Sequence, residues 1–452
     1  MTALTAALAA DQAGGDLSAH GIGGQQDLPI SLGLAVAGAV AALVVSFTVL
    51  AIAWRKPRYD AATNGRPAPE LVARVVDHPA FGIALRVFGM VLFLYTAVVA
   101  VFGVDKVINP FFGIIYVWLW VGIVPMSLLF GPFWKAISPV RTINLLFARL
   151  AGSNPDEGLY AYSARVGYWP AAFGLLAFVW LELVYPYSTE LSPVRLWFAV
   201  YVAAMLVGGA LFGSTFYERA DPFEVYSSLV GKASIWARRD GRLLVRSPLA
   251  NLASIEPVAG LLGVAGVLFG STGFDSFGES PPYVKFLQGT DVSGYLLNNI
   301  TLVVFCLGAM GVFTLGCVLT GVGPDQQRRD LPNAFAHSIV PIVIGYVFAH
   351  YLSYFVEVGS RTLVLASDPF SNGSDYLGTG DMRDVTWLAY HPTLLASIKV
   401  GAVVLGHVVA AIVAHDRALR LLPARHQLTG QLPLLAAMVG FTSGGLFLLF
   451  SS

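Results

Sequence analysis

Residues 334–358 read AFAHSIVPIVIGYVFAHYLSYFVEV. The run holds one carboxylate, Glu357, and no Lys or Arg. A helix needs roughly 20 mostly apolar residues to cross about 30 Å of hydrocarbon, so this stretch predicts a transmembrane span. Nine similar runs accompany it, at about 30–54, 81–103, 111–134, 167–187, 194–217, 256–273, 297–321, 391–415 and 433–450. The run at 256–273 is the weakest, being short, Gly-rich and broken by the polar stretch 271–282. Ten spans in 452 residues leave no room for a large soluble domain. The fold class predicted is therefore all-α, a polytopic transmembrane helix bundle: an exported tail over 1–29, then a single bundle over 30–452.

Composition agrees. The chain is 56% hydrophobic and 12% charged, with 27 basic and 27 acidic residues. That is about half the charged share of a soluble domain. It excludes a disordered chain, a disulfide scaffold and a basic nucleic-acid binder.

Position makes the charges informative. Of the 27 basic residues, 20 fall in the connections 55–80, 135–166, 218–255, 322–333 and 416–432. The alternate connections hold five: Lys106, Arg195, Lys285, Arg361 and Arg383. Cytoplasmic loops carry the Lys/Arg excess, so both termini are predicted outside and the protein in the cell (plasma) membrane. The tail 1–29 has no Lys or Arg and lacks the positive start of a signal peptide. It reads as an exported tail, with a processed leader as the alternative.

Six pairs place a capping residue before a proline: Asn109-Pro110, Ser138-Pro139, Ser192-Pro193, Asp221-Pro222, Ser247-Pro248 and Asp368-Pro369. After Pro139, Ile143, Leu146, Phe147 and Leu150 repeat at helical spacing, which predicts an interfacial helix. After Pro222, Tyr226, Leu229, Ala233 and Trp236 do the same, and Asp240-Gly241 signals a hairpin. Residues 218–255 thus predict a small cytoplasmic cap, an amphipathic helix plus a hairpin. The outer loop 359–390 is acidic, with Asp368, Asp375, Asp381 and Asp384, and carries Gly373, Gly378 and Gly380 for flexibility. Cys306 and Cys317 lie three turns apart on one helix, too far for a disulfide, and read as core thiols.

Ionisable side chains inside a membrane are costly and mark sites, partners or cavities. Here they gather in the eighth and ninth runs: His337, His350, Tyr354 and Glu357, then His391, Lys399, His407 and His415-Asp416-Arg417. His350 and Lys399 each lie ~12 Å below the outer surface, from the rise per residue. His350, Tyr354 and Glu357 share one helix face. Four readings fit. A divalent metal such as zinc or copper suits His350, His407, Asp368 and His337. Bis-histidine haem suits His337 and His350, though His407 and His415 are poorly spaced to match them. A proton relay in a secondary transporter suits His350, Lys399 and Glu357. Histidines tying helices together is the plain structural reading. His20 on the tail, near Asp27, is a further metal candidate. Arg86 reads as snorkelling to the cytoplasm, and Glu182 as facing a neighbouring helix or the cavity. No Gly-x-Ser-x-Gly elbow, Walker loop, dinucleotide fingerprint or Cys-rich metal motif is present, so the sequence offers no support for an ATP-driven pump or a triad hydrolase.

Several stretches carry a family resemblance. They are HGIGG at 20–24 with DLP at 27–29, NP at 109–110 with VW at 117–118 and VG at 121–122, and ERADPFEVYS at 218–227. AHY at 349–351, SDP at 367–369, and GH at 406–407 with AHDR at 414–417 complete them. Over nearly its whole length the chain resembles a bacterial, largely actinobacterial, membrane protein family labelled fenitrothion hydrolase-like. The resemblance implies a membrane-bound phosphotriester hydrolase, with a second membrane subunit as a partner beside the lipid bilayer. In that case a bound divalent metal would activate water, His350, His407 and Asp368 would serve as ligands or bases, and Lys399 would stabilise developing negative charge. The candidate catalytic set is then His350, Lys399 and Glu357.

Overall fold

The computed structural model describes residues 25–322, 327–423, 426–427 and 429–451. The expectations for the leader segment and for His20 lie outside the described residues. Eight helices are long and apolar enough to cross a membrane, and a bent pair adds a ninth if it counts as one span. In chain order the principal helices are α1 (Leu32–Ala53), α2 (Pro79–Phe102), the bent pair α3 (Pro110–Val121) and α4 (Ile123–Phe130), α5 (Pro139–Ala151) and α6 (Trp169–Leu183). They continue with α7 (Leu191–Phe212), α8 (Pro222–Gly231), α9 (Leu261–Gly278) and α10 (Gly294–Val318). The last three are α11 (Ile339–Leu365), α12 (Pro392–Leu421) and α13 (Leu432–Ser451). The protein is a multi-pass, all-α membrane bundle, and Cys306 and Cys317 are buried free thiols in its core.

The weakest span departs most from expectation. A break is predicted from residue 271, yet α9 continues unbroken to Gly278. Ser271, Thr272, Asp275 and Ser276 are all buried. Hydropathy alone would end the helix there. It continues because polar side chains on α11 receive this end of α9.

Helices α11 and α12 cross with almost no side chain between them. A Cβ on Gly345 would sit 2.4 Å from the Ala402 carbonyl oxygen, and one on Gly406 would sit 2.6 Å from that of Pro341. Small residues let transmembrane backbones approach this closely. The approach holds α11 and α12 in backbone contact.

The caps follow chemistry that the sequence partly displays. Asn109, Ser138 and Asp221 each accept a backbone N–H in the first turn of their helices. Ser247 holds the cap position without a side-chain bond. Ser192 is not a cap, because α7 begins one residue earlier, after Glu190. Asp368 starts no helix. It closes a turn by accepting from the N–H groups of Asn372 (3.0 Å) and Gly373 (2.9 Å).

At the basic end of the bundle, α5 exposes Leu146, Phe147 and Leu150, as an interfacial helix requires. The segment after Pro222 differs from expectation. α8 stops at Gly231, and all its residues except Ser228 are buried, so it has no solvent face. Its charges are satisfied internally. Arg141 grips Glu224 through two 2.6 Å bonds, and Asp221 accepts from Trp134 Nε1 (3.2 Å) and Tyr201 hydroxyl (3.0 Å). The Asp240-Gly241 hairpin forms, with both residues at positive φ. It joins β2 (Trp236–Arg239) to β3 (Arg242–Val245), and β3 also pairs with β1 (Arg66–Pro67) from the first basic connection. Arg86 lines a small cavity there with Lys135, Ser138 and Arg141.

The close crossing makes a prediction. Gly345→Ala and Gly406→Ala should each destabilise by about 1–3 kcal/mol through overpacking, lowering the thermal midpoint in detergent. Gly401, also on α12, has open space where its Cβ would go, so Gly401→Ala should leave the midpoint unchanged. Equal midpoints for all three variants would remove the crossing as a determinant.

Candidate functional site

The site begins with helix periodicity. On α9, Thr272, Asp275 and Ser276 are spaced i, i+3, i+4 and share a face. On α11, Tyr346, His350, Tyr351 and Tyr354 are one turn or less apart. The two faces meet. His350 Nε2 lies 2.8 Å from Asp275 Oδ2. The Tyr351 hydroxyl donates to the same oxygen at 2.8 Å. On the other side of the imidazole, Nδ1 lies 3.2 Å from Ser276 Oγ, which in turn is 2.9 Å from the Tyr346 hydroxyl. All five side chains are buried.

This connectivity has two consistent directions. With neutral His350, Nε2–H donates to Asp275, Nδ1 accepts from Ser276, and Ser276 accepts from Tyr346. With imidazolium, Nδ1–H donates to Ser276 and the Ser276 hydroxyl turns to donate to Tyr346. Each direction keeps both imidazole nitrogens bonded, and the charged form turns the Tyr346 hydroxyl from donor to acceptor. The Asp275 carboxylate balances the charged form.

Asp275 and Ser276 were not among the residues that the sequence singled out. They sit in the polar stretch that reads as a break. The available signal was their i, i+3, i+4 face with Thr272, which continues the helix rather than ending it.

Lys399 is buried on α12, and the acidic groups whose charge it feels are Asp27 and Glu279. Asp27 ends a short turn, Gln25–Asp27, that packs on α12. Glu279 follows α9 one turn after Asp275. A second charged group thus lies one helical turn from the His350 centre. Glu357 stands further along α11, partly buried, with Oε1 enclosed and without a hydrogen-bond partner among the described residues, and within reach of the charge of Asp384.

The remaining candidates lie apart. His407 Nδ1 bonds the Val403 carbonyl at 2.9 Å, and its Nε2 is enclosed without a partner among the described residues. His337 bonds the carbonyls of Ala334 (3.1 Å) and Val413 (3.4 Å), tying the start of α11 to α12. His415 bonds Gln431 and the Trp54 carbonyl, Asp416 binds Arg420 and the Arg58 N–H, and Arg417 holds the carbonyls of Ala253 and Ile255. In the outer loop, burial is the largest single influence on Asp368 and works against its ionisation. The N–H groups of Asn372, Gly373, Ser374 and Ser371 outweigh it and hold that carboxyl below its usual range. The Ser367 hydroxyl and the Gly380 N–H do the same for Asp375. Both acids are thus committed to turns. Among the described residues, no three His, Cys, Asp or Glu side chains converge in a way that could hold a metal ion.

Comparison with protein-family models, with curated proteins and with solved structures finds no match to this chain.

The tyrosines of α11 offer a direct check. Tyr351→Phe removes one of two donors to Asp275 and should cost about 0.5–1.5 kcal/mol. The Tyr354 hydroxyl has no partner among the described residues, so Tyr354→Phe should be neutral or nearly so. Thermal unfolding in detergent separates the two. A larger loss for Tyr354→Phe than for Tyr351→Phe would contradict the network.

Proposed function

We propose that this chain is a ten-span plasma-membrane protein with both termini outside, and that it works as a secondary transporter whose driving proton is carried by the His350–Asp275 pair. The eight long spans and the bent α3–α4 pair supply nine crossings. The short apolar helix α6 supplies the tenth. The strict alternation of basic connections supports the orientation, with the β1–β3–β2 sheet and its neighbours on the cytoplasmic side.

One observation carries the relay: a buried imidazole with both nitrogens hydrogen-bonded, one to a carboxylate at 2.8 Å and one to a hydroxyl chain. An imidazole is the side chain whose charge changes near neutral pH. Lys399, Asp27 and Glu279 would form the outer approach, where Lys399 can trade its ion-pair partner as protons arrive. The enclosure favours a proton as the passenger, since Ser276 is 0% exposed and Asp275 4% exposed.

A second reading has one observation in its favour. Ser276, His350 and Asp275 stand in the order of a nucleophile, base and acid, which suits the phosphotriester hydrolase that the family resemblance implies. Substrate would then reach Ser276 only if α9 and α11 part.

Proteoliposomes containing the full chain and an enclosed pH dye test both readings. An acid-outside gradient should drive proton entry that falls roughly 100-fold or more in His350→Ala and Asp275→Asn. Entry that survives both substitutions would overturn the relay. If instead Ser276→Ala abolishes triester hydrolysis by the same vesicles while proton entry is absent throughout, the hydrolase reading replaces it.

A further inference from the structure

Arg86 is the only charged residue of α2 and lies about two turns, or ~10 Å of rise, inside it. It is exposed, yet it makes no hydrogen bond or ion pair among the described residues. It lines a cavity of about 80 Å³ together with Lys135, Ser138, Arg141, Asn144 and Asp156. That space is several times the roughly 10–15 Å³ that one water needs. Gly89 makes the cavity possible: a Cβ there would collide with the Ile137 carbonyl oxygen, so only glycine lets α2 lie against residues 133–137. Two cations of the wall are balanced, Lys135 by Glu218 (2.6 Å) and Arg141 by Glu224 (two bonds of 2.6 Å). Asp156, exposed on the connection after α5, accepts from the Ser214 hydroxyl and forms no ion pair with Arg86. The Arg86 guanidinium and the Asn144 amide remain as donors without a partner among the described residues. The rim is apolar: Ile83 and Val87, within a turn of Arg86, and Phe147, one turn after Asn144, are all exposed.

A cation at this depth of a spanning helix is costly if left bare, and a long arginine side chain reaches for the polar boundary. Its planar fork suits phosphate oxygens, which it can hold through two parallel bonds. We propose that this cavity binds the phosphate headgroup of an anionic phospholipid from the leaflet at the basic end of the bundle. Arg86 supplies the charge and the Asn144 amide a further donor, while the acyl chains run along Ile83, Val87 and Phe147. Basic pockets between membrane helices recognise such headgroups. A free phosphate would meet the same donors, but it would gain nothing from the apolar rim or from a cation set within a span. Lys135 and Arg141 are already balanced and Asp156 opposes an anion, so the preference rests chiefly on Arg86. The site is separate from the His350–Asp275 pair, and the proposal stands or falls without the relay.

Native mass spectrometry of the full chain tests this, with detergent micelles holding equal amounts of phosphatidylglycerol and phosphatidylcholine. Phosphatidylglycerol should be retained in preference. Arg86→Gln should cut that preference about fivefold, the effect of one basic residue at an anionic headgroup. Arg86→Lys keeps the charge and should keep most of the preference, and Asp156→Asn should raise it. Added inorganic phosphate should leave the bound lipid in place. Equal retention of the two lipids, or a preference that survives Arg86→Gln, would overturn the proposal. Displacement of the lipid by inorganic phosphate would overturn it in favour of a soluble anion. A preference that falls in Asp156→Asn would show that acid supporting the occupant, and would count against an anionic headgroup.

Discussion

A polar group inside a bilayer has no water to fall back on, so it must find its partner within the protein. That constraint acts most strongly where α9 meets α11. The last turns of α9 carry Thr272, Asp275 and Ser276, which lipid would not tolerate. They remain helical because His350, Tyr351 and Tyr346 receive them. The same bonds fix the imidazole between a carboxylate and a hydroxyl. Structure and proposed chemistry therefore rest on one contact: the interaction that keeps the end of α9 helical is also the one on which the proposed relay depends.

The rest of the bundle supports this contact from both ends. Gly345 and Gly406 bring α12 against α11. Lys399 thereby joins Glu279 and Asp27 one turn from the His350 centre. At the basic end the buried charges serve as scaffold, with Arg141 and Glu224 in a two-pronged pair and Asp221 both capping α8 and accepting from Trp134 and Tyr201. Those charges are fully bonded. Glu182, Tyr354 and the Nε2 of His407 are enclosed with atoms that have no partner among the described residues. The contrast separates groups that hold the fold from groups whose bonding is incomplete among the described residues.

Much of the fold was legible because membranes impose simple rules. Long apolar runs report membrane-spanning helices directly. Asp240-Gly241 reported a tight hairpin for an equally local reason. His350, Lys399 and Glu357 stood out because charges are rare in such runs. The residues that were missed depend on distant partners. Asp275 and Ser276 read as a break until His350, about 75 residues away in sequence, is placed beside them. Asp368-Pro369 reads as a helix start, but its carboxylate is taken by the N–H groups of its own turn. α8 has the spacing of an amphipathic helix, yet neighbours cover it on every side. The partners of Arg141 and of β1 likewise lie in other connections, beyond the reach of any local pattern.

The central claim is that Asp275 and His350 act as a unit, and a double-mutant cycle tests it most directly. Unfolding free energies in detergent would be measured for Asp275→Ala, His350→Ala and the pair. The account predicts that the double variant loses clearly less than the two single losses together, with a coupling of about 0.5–3 kcal/mol. Losses that add to within about 0.3–0.5 kcal/mol would show that the two side chains do not depend on each other, and would contradict it.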